Sequence, residues 1–405
     1  MHQPFTVYVA DEALADLAMR LERARLPHSS DRSWDGGTSP WFLARLVEHW
    51  RTQYDWRAQE RDINQFAHYR SRMSGMNIHY IHERGRGPSP LPLILTHGYP
   101  DSFLRFHKII PLLTDPGAHG GAESDAFDVV VPSLPGFAFS DAFRRDGGIF
   151  HVGALWHELM TKELHYDKFG AHGGDWGSTV SEHLARSYPA SLVGVHLTDV
   201  PFWHAFRVPG DATQEEREHV ARTQRYMEQQ GAYAMIQGTR PFTLAHGLLD
   251  SPAGMAAWLV EKFCTLSDCN GDVESRFTLD ELITNVMIYW VTRSIGTAFT
   301  PYFDFTNAGA LRFMLEKAKE LAGGTRVPAG FAIFAKDTAQ PPRSWADRFF
   351  DVRRFTRIPV GGHFAAAEEP ELLARELRAF FRPLRAATRR TQEATDPAAA
   401  AVGYS

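Results

Sequence analysis

The chain contains few cysteines, no long apolar run and no signal-peptide pattern. Only Cys264 and Cys269 occur among its 405 residues. Two thiols cannot build a disulfide framework or supply all ligands of a zinc site, so we expect both to be reduced and without a function. No stretch approaches the ~18 apolar residues of a membrane span. These absences predict a cytoplasmic protein that uses no membrane.

The chain also lacks blocks of like charge. It has 43 Lys and Arg against 48 Asp and Glu, a net charge of −5, and the two signs are mixed along the sequence. Proteins that bind nucleic acid or anionic membranes carry basic patches. We therefore exclude nucleic acid as a partner, whereas self-association into a homo-oligomer stays open.

Short apolar runs alternate with helical patterns from Leu91 onward. The predicted strands are 91–96, 127–131, 169–172, 192–197, 331–334 and 352–358. Such alternation is typical of a mostly parallel sheet with helices on both faces. The strand pattern stops over 201–306, where Thr213 with Glu216 and Thr278 with Glu281 form capping boxes. We therefore predict a helical insertion there.

The flanking segments differ from this α/β pattern. The first ninety residues favour helices and turns. A last helix is predicted from Glu371 to Leu384, and the small, Ala-rich residues after it favour a flexible tail. We divide the chain into an amino-terminal domain (1–88), an α/β core (89–200 and 307–385), the insertion (201–306) and the tail (386–405).

The residues Gly173-Gly174-Asp175-Trp176-Gly177 lie between a predicted strand and a predicted helix. This is the spacing of a nucleophile elbow, in which small neighbours permit a sharp turn that exposes one side chain above the sheet. Here that side chain is a carboxylate. A helix cap at Asp175 in an ordinary glycine loop explains these five residues equally well.

Two other segments favour the elbow. His97-Gly98-Tyr99-Pro100 ends the first predicted strand, where such folds place the second amide of an oxyanion hole. Gly361-Gly362-His363-Phe364 follows the last predicted strand, which gives the chain order nucleophile, acid, histidine.

These segments, with Tyr54-Asp55-Trp56-Arg57, Ile78–His82 and the run 361–372, closely resemble the microsomal-type epoxide hydrolases of the α/β-hydrolase superfamily. The resemblance spans roughly residues 4–385. It implies an α/β-hydrolase fold, a helical cap inserted after the sixth strand and a mainly helical amino-terminal domain that wraps the core. It also implies a soluble enzyme of the bacterial type that hydrolyses a small-molecule epoxide to a vicinal diol without a metal or an organic cofactor.

The resemblance assigns the first chemical step. A carboxylate can open a strained epoxide by attack at carbon, and the resulting alkoxide needs a proton. The resemblance implies that Asp175 is the nucleophile and that Tyr233 and Tyr302 are the phenols that donate this proton. Tyr289 is the nearest alternative, but its apolar helix neighbours indicate burial.

The resemblance also assigns the second step. His363 would deprotonate a water that attacks the ester, while the backbone amides of Tyr99 and Trp176 hold the oxyanion. A carboxylate must orient the histidine. The family has Glu after its seventh strand, where this chain has Asp337. Asp199, after the sixth strand, is the alternative, and we prefer Asp337.

Proteins with other functions would use some of these candidate catalytic residues. A haloalkane dehalogenase would use Asp175 and Trp176, but it needs a second halide donor, commonly Asn, where this chain has Tyr99, and it has no use for paired phenols. An esterase would carry Ser at the elbow. A ligand-binding protein that has lost turnover is a further alternative. The insertion carries the aromatic residues Phe202, Trp203 and Phe242. They favour an apolar substrate, aryl epoxides included.

Overall fold

The computed structural model describes residues 2–143, 148–307, 324–338 and 340–395. Within these ranges the strands form one nine-stranded sheet in the order β1-β2-β3-β5-β4-β6-β7-β8-β9. The strands are β1 (Gln3–Pro4), β2 (His68–Met73), β3 (Met76–Glu83), β4 (Leu91–Thr96), β5 (Phe127–Pro132), β6 (Phe169–Gly173), β7 (Leu192–Leu197), β8 (Pro328–Phe334) and β9 (Asp351–Ile358).

The six predicted strands are confirmed as β4 to β9, and they pair in parallel. The strands β5, β6 and β7 are buried along their whole length. Helices cover both faces of such a sheet, which is why these segments are apolar at consecutive positions rather than at every second one.

The prediction of only helices and turns over the first ninety residues was wrong for β2 and β3. These strands pair with each other and join the sheet antiparallel, through β3 and β5. Ser74 and Gly75 connect them with positive φ angles of 47° and 83°, as a two-residue hairpin turn requires. The preceding residues form the helices α1 (Asp11–Glu22), α2 (Pro40–Thr52) and α3 (Trp56–Ile63).

The predicted helical insertion lies between β7 and β8. Both capping boxes are present, at Thr213 and at Thr278. The insertion follows the sixth strand when the two-residue β1 is not counted. Its helices are α7 (Gln214–Gln230), α8 (Ala232–Thr239), α9 (Pro241–Asp250), α10 (Pro252–Leu266), α11 (Leu279–Thr292), α12 (Ile295–Ala298) and α13 (Thr300–Thr306).

The remaining helices flank the sheet. They are α4 (Ile110–Thr114), α5 (Gly148–Glu158), α6 (Trp176–Ser187), α14 (Arg343–Asp347), α15 (Ala365–Glu368) and α16 (Pro370–Thr395). The last helix extends beyond its predicted end at Leu384, because the Ala, Arg, Gln and Glu residues that follow are strong helix formers. Residues 396–405 of the predicted tail lie outside the described residues. Across the described ranges, no helix combines the length and the apolar character needed to cross a bilayer.

Candidate active site

The elbow places Asp175 between β6 and α6 with φ 56° and ψ −129°. This backbone conformation is strained for a residue other than glycine and often marks a functional position. A Cβ atom on Gly173 would lie 2.2 Å from the carbonyl oxygen of Gly177, so the turn requires small neighbours. Asp175 precedes α6, but its side chain makes no capping hydrogen bond. The carboxylate is therefore available for another role.

Backbone amides surround this carboxylate. The amide of Tyr99 donates to Asp175 Oδ1 at 2.9 Å, and the amide of Trp176 also bonds to the side chain. A Cβ atom on Gly98 would lie only 2.2 Å from the same oxygen. Burial raises the pKa of Asp175, and the positive charge of His363 and the two amides oppose this effect. The same two amides are those expected from the sequence to hold an oxyanion.

His363 lies on the loop after β9 and faces Asp175. Its Nε2 atom is 3.6 Å from Asp175 Oδ2, and its Nδ1 atom is 2.9 Å from Asp337 Oδ1. Burial alone would lower its pKa, but the charge of Asp337 and this hydrogen bond dominate and raise the pKa of His363 to about 9. Within the described part of the chain, Nε2 has no hydrogen-bond partner. It is therefore free to bond a water near the nucleophile.

The second candidate acid, Asp199, bonds to the elbow instead. Its Oδ1 atom accepts from the Asp175 amide at 3.3 Å, and its Oδ2 atom accepts from Ser178 Oγ at 3.0 Å. Burial, together with the charge of Asp337, raises the pKa of Asp199 to about 7. Lys336, beside Asp337, is exposed. The geometry thus brings Asp337, and not Asp199, to the imidazole.

Two phenols from the insertion face the carboxylate. Tyr233 in α8 and Tyr302 in α13 have ring centroids 5.9 Å apart, and the Tyr302 ring lies 5.1 Å from Trp176. Burial raises the pKa of Tyr233, and the charge of Asp175 raises it further. Both phenols are therefore neutral donors. The competing Tyr289 is buried, and its hydroxyl donates to the carbonyl oxygen of Asp101 at 2.7 Å.

These groups line a cavity of about 290 Å³, which contains Asp175, His363, Asp337 and both phenols. Phe202 lines it as predicted. Trp203 and Phe242 do not, because Trp203 stacks on His204 and Phe242 is 66% exposed. Further residues that line the cavity were not predicted from the sequence, and they include Phe206, Tyr226, Met227, Leu266 and Phe305.

Two of the missed residues bear on the chemistry. Tyr226 in α7 forms a hydrogen bond with Tyr233, as Tyr302 also does, and so helps to orient that phenol. Arg105 is buried, pairs with Asp101 and lies beside Gly174 at the elbow. The charge of Arg105 lowers the pKa of Asp175 and of His363. No sequence pattern marks either residue, since one is a helix position and the other is in a short turn.

Among the described residues, no three His, Cys, Asp or Glu side chains are grouped to hold a metal ion.

Comparison with known proteins places the chain in a family. A family model for the epoxide hydrolase N terminus matches residues 2–106, and a model for the alpha/beta hydrolase fold matches residues 92–230. Epoxide hydrolase 1 of Oryctolagus cuniculus is 34% identical over 93% of this chain and 88% of that protein. The chain belongs to the epoxide hydrolase family. A Stigmatella aurantiaca protein that is provisionally named an epoxide hydrolase is 40% identical over 95% of this chain and 85% of its own length.

A solved structure of the epoxide hydrolase family agrees over nearly the whole length. The crystal structure of juvenile hormone epoxide hydrolase from the silkworm Bombyx mori has a TM-score of 0.84 and 26% identity, and the match covers 96% of each chain. Membership of the family identifies the chain as an enzyme that hydrolyses an epoxide. It also confirms the α/β-hydrolase fold that the sequence predicted.

Proposed function

We propose that the chain converts an apolar epoxide, aryl epoxides included, to a vicinal diol through a covalent ester on Asp175. Epoxide hydrolysis follows from the family, so the proposal concerns the residues and the substrate class. The observation that carries it is the arrangement around Asp175, with His363 Nε2 3.6 Å from one carboxylate oxygen and the Tyr99 amide 2.9 Å from the other.

In the first step a carboxylate oxygen of Asp175 attacks an epoxide carbon. The new bond joins that oxygen to carbon, and the ring C–O bond breaks to give an alkoxide. Tyr233 and Tyr302 line the same cavity, which lets a phenol donate the proton that the alkoxide requires. Raised pKa values keep these phenols protonated before the reaction.

In the second step His363 takes a proton from water, and the water oxygen attacks the carbonyl carbon of the ester. The amides of Tyr99 and Trp176 hold the oxyanion, and the bond between the carbonyl carbon and the ester oxygen then breaks, with the proton from His363 passing to the leaving oxygen. The diol leaves with one oxygen from the epoxide and one from Asp175, and the water oxygen stays in the carboxylate. The charge of Asp175 is among the causes that raise the pKa of His363. Ester formation removes that charge, so alkylation itself makes His363 a more available base.

The lining of the cavity supports an apolar substrate. Rings from the elbow and the insertion form much of its wall, and Met227 and Leu266 add aliphatic surface. Aromatic walls hold flat apolar groups by offset or edge-to-face contact. The rings are Trp176, Phe202, Phe206 and Phe305. The cytoplasmic location stays a prediction, and self-association stays open.

The His363→Gln variant tests the proposal. Mixed with styrene oxide, it should form the ester and fail to hydrolyse it, so that intact mass rises by one substrate mass and peptide mapping locates the adduct on Asp175. His28→Gln, a change at an exposed histidine, is the matched control and should release diol without an adduct. A folded His363→Gln variant that turns over normally, or that carries its adduct on another residue, would contradict the proposal. Halide release from a chloroalkane with no diol from styrene oxide would favour a dehalogenase.

A further inference from the structure

The two cysteines, which the sequence left without a function, lie in contact. Cys264 is in the last turns of α10, and Cys269 is in the loop that follows. Their Sγ atoms are 3.8 Å apart, and both side chains are buried. They are free thiols in this structure. A disulfide has an S–S length near 2.05 Å, so closure needs a sulfur movement of about 1.8 Å, which side-chain rotation and a small loop adjustment can supply.

A cavity of about 910 Å³ gives small molecules access to one member of this pair. Cys264 lines the cavity between the amino-terminal segment and the helical insertion, and its rim includes the exposed residues Gly36, Gln230 and Gly271. The hydrogen bond between the two thiols lowers the pKa of Cys269 and raises the pKa of Cys264. A larger thiolate fraction favours attack on an oxidant.

The segment between the cysteines braces the loop that carries His363. The carbonyl oxygen of Leu266 accepts a hydrogen bond from the His363 amide at 2.9 Å. Asp268 Oδ2 accepts from the Gly361 amide, also at 2.9 Å. A Cβ atom on Gly362 would lie 2.6 Å from the Leu266 oxygen, so the two segments are in close contact. These contacts provide a route by which a movement of the segment 264–269 would act on His363.

We propose that Cys264 and Cys269 are an oxidation site that closes to a disulfide on reaction with a peroxide and so alters the position of His363. One thiolate attacks a peroxide oxygen and becomes a sulfenic acid, while hydroxide leaves and takes up a proton. The second thiol then attacks that sulfur, which forms the S–S bond and releases water. Two thiols are oxidised, and one peroxide is reduced to two waters.

The test uses the purified full chain treated with hydrogen peroxide. Because the chain has only two cysteines, disulfide closure should remove both titratable thiols and lower the monomer mass by about 2 Da, and dithiothreitol should reverse both changes. Mass gains in steps of about 16 Da on the cysteines, or a disulfide-linked dimer, would overturn the proposal. The thiol count and the mass are measured without substrate. Failure of disulfide closure can therefore be distinguished from failure of the proposed function, on which the kinetic part of this proposal rests.

The kinetic arm measures ester hydrolysis and alkylation separately with styrene oxide. Closure should slow ester hydrolysis by roughly threefold or more, because small displacements of a catalytic group are costly, and should slow alkylation less, since His363 accepts no proton in that step. Cys264→Ser and Cys269→Ser, each of which prevents closure, should keep their hydrolysis rate after the same treatment. An equal loss of rate in these variants, or full activity of the disulfide form, would refute the link to His363.

Discussion

Replacing Asp337 with Asn removes the charge that His363 is expected to need. The two side chains are joined by a buried hydrogen bond of 2.9 Å. Burial lowers the pKa of His363, yet the charge of Asp337 and this bond dominate and raise it to about 9. Relative to the ordinary value of 6.5, this is a preference of roughly 3 kcal/mol for the imidazolium. Asp337 is the largest favourable contributor to it.

The variant should therefore lose most of this stabilisation. His363 becomes cationic as it takes the proton from water, so Asp337→Asn should slow ester hydrolysis by about two orders of magnitude. Alkylation should be unchanged, since His363 accepts no proton in that step. The pH dependence of ester hydrolysis provides a second test of the assignment. Without Asp337 the pKa of His363 falls, so its neutral form persists to lower pH and the rise of ester hydrolysis with pH should move to lower pH.

Rapid quench of a single turnover with styrene oxide measures both steps, because intact mass reports the ester as it forms and decays. Asp199→Asn is the matched control. Asp199 is equally buried in the site, but it bonds to the Asp175 amide and to Ser178 and not to the imidazole. Its variant should keep the pH dependence of ester hydrolysis. A normal decay rate in Asp337→Asn, or the same defect in Asp199→Asn alone, would refute the assignment.

Two further changes act on alkylation. Loss of either phenol, in Tyr233→Phe or Tyr302→Phe, should slow alkylation by roughly 10-fold to 100-fold, and loss of both should slow it by about 10³-fold or more. The control Tyr289→Phe should alkylate normally and lose about 1 kcal/mol of stability, because its hydrogen bond to Asp101 is removed. Stopped-flow alkylation and denaturant unfolding measure these effects, and a double variant with the normal alkylation rate would disprove the role of the phenols. Gly98→Ala should slow alkylation by roughly 10²-fold, because its Cβ atom would lie 2.2 Å from Asp175 Oδ1 and displace the carboxylate. Gly210→Ala is the control and should alkylate at the normal rate, because its Cβ atom would meet nothing within 4 Å. Equal alkylation rates in the two variants would show that the carboxylate tolerates the displacement.

Much of the α/β core could be predicted from the sequence. Buried parallel strands need consecutive apolar residues, and the run Leu192–Leu197 matches β7 at both ends. The hairpin of β2 and β3 could not be found in this way. Residues such as His68, Arg70 and Arg72 give β2 little apolar character, because its pairing with β3 stabilises it through the backbone rather than through a fully buried face.

The candidate site was predictable where a backbone turn imposes a pattern. The elbow at Asp175 and the glycine pair before His363 are local features, so they appear in the sequence. Tyr226 and Arg105 reach the site only through the packing of the insertion and of the turn after β4. The choice between Asp337 and Asp199 also depended on distances, since both follow strands whose carboxyl ends meet at one edge of the sheet.

The central claim is that Asp175 forms an ester that water then hydrolyses at its carbonyl carbon. A single turnover in oxygen-18 water, with enzyme in excess over styrene oxide, tests it most directly. The account predicts an unlabelled diol and one labelled oxygen in the peptide that contains Asp175. A labelled diol from that first turnover, with an unlabelled Asp175 peptide, would mean that water attacks the epoxide directly and would contradict the account.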